Sequence, residues 1–300
     1  MLSSDLLQSL TDHPVLGVSM SSVSLLRLDR AGGLAPGNKS YKLAGNISLA
    51  KEQGLSRILS FGGAWSNHLH ALAALGFEHG METIGVVRGE QADTPSCMLR
   101  DASDWGMQLV YVSRSEYRQR NDSDYIASLQ SRFGPCLIIP EGGANTAGVE
   151  GCVRIAKLIE NNRGRIDHVV VPVGTGTTLA GMALGLTREK ELIGISVLKG
   201  AQYLDGDVEE AIRNSSGGNA GNWRIAHNYH CGGYAKVTAE LKQFIIEFER
   251  VQGVLLDPVY TGKMLFAVHQ MIGENTLSGQ IVAVHTGGVQ GRRGFSWLAG

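Results

Sequence analysis

Two lysines, Lys39 and Lys42, follow the segment Pro36-Gly37-Asn38 and stand three residues apart. Lysines at this spacing near the start of a helix usually form a solvated face. Beside a glycine turn, however, a lysine can lose its water, and its amine is then able to condense with an aldehyde. The residues by themselves favour the solvated face and leave carbonyl chemistry as the alternative.

A second candidate is the turn Gly174-Thr175-Gly176-Thr177-Thr178, which follows the apolar segment 168–173. Small residues let backbone amides approach an anion, threonine hydroxyls add donors, and a following helix contributes the positive end of its dipole. This pattern suits a phosphate group, although it lacks the GK[ST] of a P-loop and the spacing of a dinucleotide fingerprint. A plain turn capped by threonine is the alternative.

The segment Gly62-Gly63-Ala64-Trp65-Ser66-Asn67-His68 is another predicted strand-to-helix turn. Ser66 or Asn67 could simply cap the helix that follows. In the functional interpretation, the same helix terminus receives a substrate carboxylate and Asn67 reaches a second ligand group. Two later turns are weaker candidates on their own: Asp257-Pro258-Val259-Tyr260-Thr261-Gly262-Lys263 and His285-Thr286-Gly287-Gly288.

Short apolar segments alternate with helical patterns along the chain. The predicted strands are 57–61, 83–87, 108–112, 136–140, 168–173, 192–197, 253–256 and 280–285. The predicted helices are 41–53, 67–79, 94–105, 117–132, 147–162, 237–251 and 263–273, and 213–233 is predicted to be a surface loop that returns to the site. This alternation is typical of an α/β fold with parallel sheets covered on both faces. Ligands bind beyond the carboxyl ends of such strands, so the glycine turns should converge on one crevice.

Composition excludes several classes of function. The net charge of −1 over 300 residues gives no bulk field for nucleic acid or anionic membranes, and no apolar run approaches the roughly 18–20 residues of a membrane span. Four separated cysteines without a CxxC pair, and a start without a basic signal region, predict reduced thiols in a cytoplasmic protein. His68 and His70 lie two residues apart, which does not suit a shared metal, so no metal site is predicted.

Taken together and in order, these segments resemble the pyridoxal 5'-phosphate (PLP) dependent family that contains D-cysteine desulfhydrase and 1-aminocyclopropane-1-carboxylate (ACC) deaminase. The similarity extends from about residue 40 to 290 and includes Pro140-Glu141-Gly142-Gly143. It implies PLP fold type II, the tryptophan-synthase-β-like fold, with two three-layer α/β domains and mostly parallel sheets. Residues 1–43 and 147–300 would form the large PLP-binding domain and residues 44–146 the small α/β domain, usually within a homodimer.

The resemblance also implies roles for individual residues. Lys39 matches the lysine that holds PLP as a Schiff base, and Lys42 matches a second lysine that does not bind the cofactor. Asn67 matches an asparagine near the 3'-oxygen of the ring, and Ser66 a residue at the substrate carboxylate. Lys39, Ser66 and Tyr260 are the predicted catalytic residues. The other predicted contacts of cofactor or substrate are Gly174, Thr175, Gly176, Thr177, Thr178, Tyr260, Thr286, Trp65, His68 and Tyr234.

The activity implied by the resemblance is β-elimination and deamination of a small amino acid, giving a 2-keto acid, ammonia and, from cysteine, hydrogen sulfide. Thr261 stands where ACC deaminases have a glutamate, and Thr286 where they tend to have leucine, so the desulfhydrase reaction is favoured over ACC deamination. A non-catalytic small-molecule-binding protein is the third alternative. Trp65 replaces the usual glutamine and Tyr234 is only a candidate for the substrate-facing tyrosine, so the natural substrate and its stereochemistry stay open.

Overall fold

The computed structural model describes residues 6–13, 16–162, 164–215 and 220–298. The strands are β1 Leu7–Ser9, β2 Val23–Arg27, β3 Arg57–Gly62, β4 Glu82–Arg88, β5 Gln108–Val112, β6 Leu137–Ile139, β7 His168–Val173, β8 Glu191–Ser196, β9 Asn222–Ala226 and β10 Ile281–His285. The helices are α1 Asn38–Glu52, α2 Asn67–His79, α3 Cys97–Asp104, α4 Arg114–Tyr117, α5 Ser123–Phe133, α6 Thr146–Glu160, α7 Thr177–Gly185, α8 Tyr203–Arg213, α9 Ala239–Gln252 and α10 Thr261–Gly273. Among the described residues, none of these helices has both the length and the apolar content to cross a bilayer.

The strands form two sheets. The larger sheet has the order β1-β2-β10-β7-β8-β9, in which β1 pairs antiparallel with β2 and the other pairs are parallel. The smaller sheet has the order β5-β4-β3-β6 and is parallel throughout. The predicted α/β class with mostly parallel sheets is therefore confirmed.

Helices cover both faces of each sheet because successive strand residues point to opposite sides. In β7, Val169 and Val171 pack with α6, α7 and α8, whereas Val170 packs on the other face with α9 and α10. In β3, Ile58 packs with α1, α2 and α3, whereas Leu59 packs toward α5. Because these strands are buried on both faces, they appear in the sequence as continuous apolar runs and not as alternating ones.

Four details of the predicted secondary structure are wrong or incomplete. Residues 253–256 are not a strand, because side chains take the backbone bonds that a neighbouring strand would make: Glu249 accepts from the Leu256 amide and Arg292 donates to its carbonyl oxygen at 2.6 Å. The predicted helix 117–132 begins later in the structure, because α4 ends at Tyr117 and α5 starts only at Ser123, where Asp122 caps it. The 213–233 loop contains β9, and its residues 216–219 lie outside the described ranges. Strands β1 and β2 and helix α8 were not predicted.

The strands of the two sheets come from separate stretches of the chain. All four strands of the smaller sheet lie within 57–139, and all strands of the larger sheet lie outside that range. The predicted boundary at 43/44 falls inside α1, and the one at 146/147 falls at the start of α6. These exact boundaries stay a prediction.

A close backbone contact joins the start of α1 to the end of β10. Gly37 has φ +129° and forms a bridge with Gly287, and the Asn38 amide donates to the Thr286 carbonyl oxygen at 3.1 Å. A Cβ atom at Gly37 would overlap that carbonyl oxygen, and one at Gly287 would come within 2.5 Å of the Pro36 oxygen. Glycine is therefore required on both sides of the contact.

We expect Gly37→Ala to destabilise the protein more than Gly80→Ala. Both glycines have positive φ, which costs a non-glycine residue about 1–2 kcal/mol, but a Cβ at Gly80 meets nothing within 4 Å. The clash at Gly37 should add about 1–3 kcal/mol. Chemical unfolding of the two variants measures the difference. Equal destabilisation would show that the backbone contact adjusts freely.

Candidate active site

The carboxyl ends of strands from both sheets open onto one cavity of about 940 Å³. The turn after β3 lies on one side of it, and the turns after β7 and β10 lie on the other. Parallel strands of an α/β fold place their following turns at one edge, which is where ligands bind. The glycine-rich turns therefore converge as the sequence predicted.

Lys39 lies in the first turn of α1 with its amine inside the cavity. Its Nζ donates to Asn38 Oδ1 at 3.4 Å and stands 6.0 Å from the centre of the Tyr260 ring. Burial lowers the pKa of Lys39, and neighbouring Asp257 only partly opposes this. A lower pKa increases the fraction of neutral amine, which is the form that attacks a carbonyl carbon.

Lys42 is a second, still more deeply buried lysine. Only 2% of it is exposed, and its Nζ donates to the Gly142 carbonyl oxygen at 3.1 Å and to Thr175 Oγ1 at 3.4 Å. Burial, followed by repulsion from Lys39, lowers the pKa of Lys42 to about 7. The amine is therefore bound to both sides of the cavity, at the turn after β6 and the turn after β7.

The turn after β7 presents hydroxyls and a helix terminus to the cavity. Thr175 Oγ1 lies 3.2 Å from Thr177 Oγ1, and Gly176 takes a left-handed conformation at φ +74° just before α7 begins. Thr178 Oγ1 accepts from Asn38 Nδ2 at 2.9 Å, which connects this turn to α1. Helix α7 begins at the cavity, so the positive N-terminal end of its dipole faces a bound anion.

The turn after β3 leads into α2 at the opposite wall. Ser66 caps α2 by accepting from the Leu69 amide at 3.2 Å, so the capping role is real. Both Ser66 and Asn67 also line the cavity, and Asn67 Oδ1 accepts from Gln290 at 3.0 Å. The N-terminal end of α2 thus faces the cavity with one hydroxyl and one amide.

His68 belongs to the same turn but points toward the sheet. The Ser60 hydroxyl donates to the Ile139 carbonyl oxygen at 2.7 Å, so His68 Nε2, 2.8 Å from Ser60 Oγ, is the donor of their bond. Burial and the two nearby lysines hold the pKa of His68 well below its ordinary value. It is a neutral imidazole in the wall of the cavity.

Tyr260 is positioned by a carboxylate. Asp257 is 2% exposed, and its side chain accepts from the amides of Val259, Tyr260 and Thr261 at 2.7–3.0 Å. Burial outweighs these bonds and raises the pKa of Asp257. The turn sets the Tyr260 ring against the backbone of Gly174, where a Cβ would lie 3.2 Å from the ring.

Thr286 and Thr261 form a pair at the end of the cavity. Their hydroxyl oxygens are 3.5 Å apart. Thr286 lines the cavity, whereas Thr261 is fully buried behind it. Of the two hydroxyls, the one at Thr286 is therefore the one that a bound molecule can reach.

A buried lysine fixes the loop that carries Tyr234. Lys263 is fully buried, and its Nζ donates to the Gly233 carbonyl oxygen at 2.6 Å. The next residue, Tyr234, lines the cavity and packs edge-on against Tyr260, with ring centres 6.3 Å apart. Burial lowers the pKa of Lys263 to about 8. The amine at the start of α10 thus supports one wall of the cavity.

The sequence of residues 37–287 matches the family model described as pyridoxal-phosphate dependent enzyme. This match extends over most of the chain. The chain belongs to this family of PLP-dependent enzymes. The predicted family resemblance is therefore confirmed, and PLP is the cofactor of the family.

The chain is also similar to individual proteins whose names are those of PLP-dependent enzymes. A putative 1-aminocyclopropane-1-carboxylate deaminase of Pyrococcus horikoshii is 29% identical over 280 residues, with 90% of this chain and 86% of the relative covered. A D-cysteine desulfhydrase of Yersinia pestis is 28% identical over 271 residues, with 84% and 82% covered. The crystal structure of an ACC deaminase homologue superimposes with a TM-score of 0.82 at 26% identity, covering 95% of this chain and 90% of that one.

The cavity of this PLP-family protein fits the cofactor. A phosphate needs amide and hydroxyl donors, and the turn 174–178 supplies both in front of α7. An aldehyde needs a desolvated amine, and Lys39 is one. The cavity is large enough for a cofactor and an amino acid, since ligand sites usually have volumes of about 300–1,000 Å³.

The structure places nearly all predicted site residues around this cavity. Those that line it are Lys39, Trp65, Ser66, Asn67, His68, Gly174, Thr175, Gly176, Thr178, Tyr234, Tyr260 and Thr286. Thr177 does not line it, since its buried hydroxyl lies behind Thr175.

Sequence reasoning missed Arg88, Gln290 and the buried Lys263. Only Lys263 stood in a motif that the sequence had singled out. Within the described residues no cluster of His, Cys, Asp and Glu is arranged to hold a metal ion.

We expect Lys263→Met to remove the pH dependence that the buried amine gives to the free energy of unfolding. The pKa of Lys263 is lowered on folding from 10.5 to about 8, so the unfolded chain binds more protons between these values and stability rises with pH. At about 1.4 kcal/mol per unit, the rise is at most about 3 kcal/mol. Chemical unfolding at pH 7, 8.5 and 10 should show the variant gaining stability relative to the wild type at pH 7 and losing that advantage at pH 10. Lys51→Met, on an exposed surface of α1, is the control for removing one lysine. A constant difference across this pH range would contradict the inference.

Proposed function

We propose that this protein is a PLP-dependent lyase that catalyses β-elimination and deamination of a small amino acid, in the manner of D-cysteine desulfhydrase. The observation that carries the proposal is the desolvated Lys39 amine, which lies in one cavity between the donor-rich turn 174–178 and the N-terminal end of α2. The first can hold a phosphate and the second a carboxylate. An amino acid and PLP carry these two anionic groups.

In this proposal the larger sheet holds the cofactor. Thr175, Gly176 and the start of α7 bind the phosphate, and Lys42, which donates to Thr175, adds a positive charge beside it. Tyr260 and Asn67, which line the cavity, would hold the ring of the cofactor, and Thr286 would offer a hydroxyl to its pyridine nitrogen.

The smaller sheet orients the substrate. Ser66 and the N-terminal end of α2 bind its carboxylate, because a helix N-terminus offers unpaired amides to an anion. PLP, when bound, withdraws electrons from the Cα–H bond of the amino acid. The Lys39 amine takes the Cα proton at Nζ. Burial lowers the pKa of this amine, which increases the fraction of neutral Lys39 that can act as the base.

The hydroxyl pair favours β-elimination over ring opening of ACC. A carboxylate beside the pyridine nitrogen stabilises its protonated and strongly electron-withdrawing form, whereas a hydroxyl leaves it neutral. Thr286 lines this end of the cavity with Thr261 behind it, and the carboxylate of the nearby Asp257 is already bound by three backbone amides. Relatives with the names of both enzymes match at similar identity, so the comparison does not choose between them and ACC deamination is the second candidate.

We further propose that the protein is cytoplasmic and forms a homodimer. The homodimer rests on the resemblance to the family, and the cytoplasmic location rests on the four unpaired cysteines. Light scattering of the purified protein at micromolar concentration measures its mass, and a monomer at that concentration would contradict the dimer.

We expect the purified protein to show the visible absorbance band of lysine-bound PLP, and borohydride to remove the band. Lys39→Ala should abolish both the band and the activity. Lys42→Met is the matched control, because it removes the neighbouring buried amine: the band should persist, with weaker retention of cofactor. Loss of the band in Lys42→Met with its persistence in Lys39→Ala would reverse the assignment of the two lysines.

We expect D- or L-cysteine or β-chloroalanine to release a keto acid and ammonia faster than ACC does. The reason is the neutral Thr286 hydroxyl at the end of the cavity. A coupled assay over D- and L-cysteine, β-chloroalanine, serine and ACC measures this ranking. Preferred turnover of ACC would overturn our interpretation of Thr261 and Thr286 and establish the second candidate function.

A further inference from the structure

Arg88 ends β4 and lies at the mouth of the cavity. It is the residue that the smaller sheet places next to the substrate turn: a Cβ at Gly63 would lie 3.5 Å from its Nη2. Gly63 begins the turn that carries Ser66 and Asn67. The guanidinium is therefore beside, but not part of, the proposed carboxylate site.

The guanidinium of Arg88 is held in place by an aromatic ring. Tyr117, of which 2% is exposed, has the Arg88 guanidinium 5.6 Å and the Arg120 guanidinium 5.1 Å from its ring centre. The ring is itself packed edge-on against Phe61 at 6.3 Å. Such cation–π contacts fix the direction of an arginine that would otherwise move freely.

The two arginines differ in their counter-ions. Arg120 forms an ion pair with Glu141, with Nε and Oε2 2.9 Å apart. Arg88 has no carboxylate within 4.0 Å among the described residues, although it shares a ring with a second cation. Unlike that of Arg120, the charge of Arg88 is therefore available to an anion bound in the cavity.

A third cation lies in the same wall. Arg114 follows β5, lines the cavity and has no ion pair among the described residues. The bulky Trp65 also lines the cavity and packs against Gly294, where a Cβ would lie 2.9 Å from the indole ring. Beyond the α-carboxylate site, the lining of the cavity therefore includes Arg88, Arg114 and the Arg120–Glu141 ion pair, together with the aromatic ring of Trp65.

We propose that Arg88 is a specificity-determining residue that binds an anionic group on the side chain of the substrate, such as a sulfonate, phosphate or carboxylate. The inference rests on the proposed function, because it assumes an amino acid bound with its α-carboxylate at Ser66. Arginine suits such groups because its planar fork of donors matches their oxygens. The preferred substrate is then an acidic amino acid, with Arg114 adding positive charge to the site.

The test uses the PLP-loaded protein and amino acids in pairs of similar size but different charge. Aspartate is compared with asparagine, and O-phosphoserine and cysteate with serine and cysteine, each as the D and L form. The half-saturation concentration comes from the change of the visible band on binding and, where turnover occurs, also from KM. The readout by absorbance works even for an amino acid that binds without reacting.

We expect the wild type to prefer the acidic member of each pair. Arg88→Gln should raise half-saturation for acidic amino acids about tenfold or more, the usual effect of losing a hydrogen bond to a charged group, and change it less than twofold for neutral ones. Arg88→Lys should restore part of the preference. Arg118→Gln, an exposed arginine that does not line the cavity, is the matched control and should change neither value.

Two outcomes would overturn the inference. An equal rise for acidic and neutral amino acids would show that Arg88 binds the α-carboxylate, and no rise for either would show that it binds neither group. Failure of the proposed function looks different, because the visible band or the response of that band to every amino acid would then be missing in the wild type itself.

Discussion

The contact between the backbones of Gly37 and Gly287 is the constraint on which the site depends. It places the first turn of α1 against the end of β10, and Asn38 extends it by donating from its amide to Thr286 and from its side chain to Thr178. One residue thus connects three of the turns that line the cavity, and Lys39 is the next residue along the chain. The position of the amine follows from backbone packing, which is more rigid than any contact made by the lysine side chain itself.

Lys42 and Lys263 are buried and Lys39 is half-buried, and no carboxylate forms an ion pair with any of the three among the described residues. Burial without a paired charge costs free energy, which is why the pKa of Lys39, Lys42 and Lys263 is lowered in each case. A phosphate bound beside Lys42, as proposed above, would supply negative charge, and a ligand that binds only the folded chain stabilises the folded state.

Much of this arrangement was predictable from the sequence, for reasons of pattern. Strands such as β7 are continuously apolar, and the glycine turns that follow them lie at predictable places, so the convergence of the candidate residues could be inferred. Arg88 and Lys263 could not be identified, because their importance comes from Tyr117 and from Gly233, which are 29 and 30 residues away along the chain. Residues 253–256 have the composition of a strand, and only the competing side chains of Glu249 and Arg292 prevent strand pairing.

The segment after β10 of the larger sheet contacts the helices and turns of the smaller sheet. Arg293 in this segment pairs with Asp101 of α3, Gln290 donates to Asn67, and Gly294 contacts Trp65. His70 of α2 bonds Asp101 at 3.0 Å and completes the connection. The groups proposed to bind phosphate follow β7 of the larger sheet, and Lys39 begins α1 against the end of β10, whereas the groups proposed to meet the substrate follow strands of the smaller sheet. In the proposed function, substitutions at Trp65 or Arg88 change which amino acid is bound and leave the phosphate turn 174–178 intact, as expected when a substrate site is varied on a common fold.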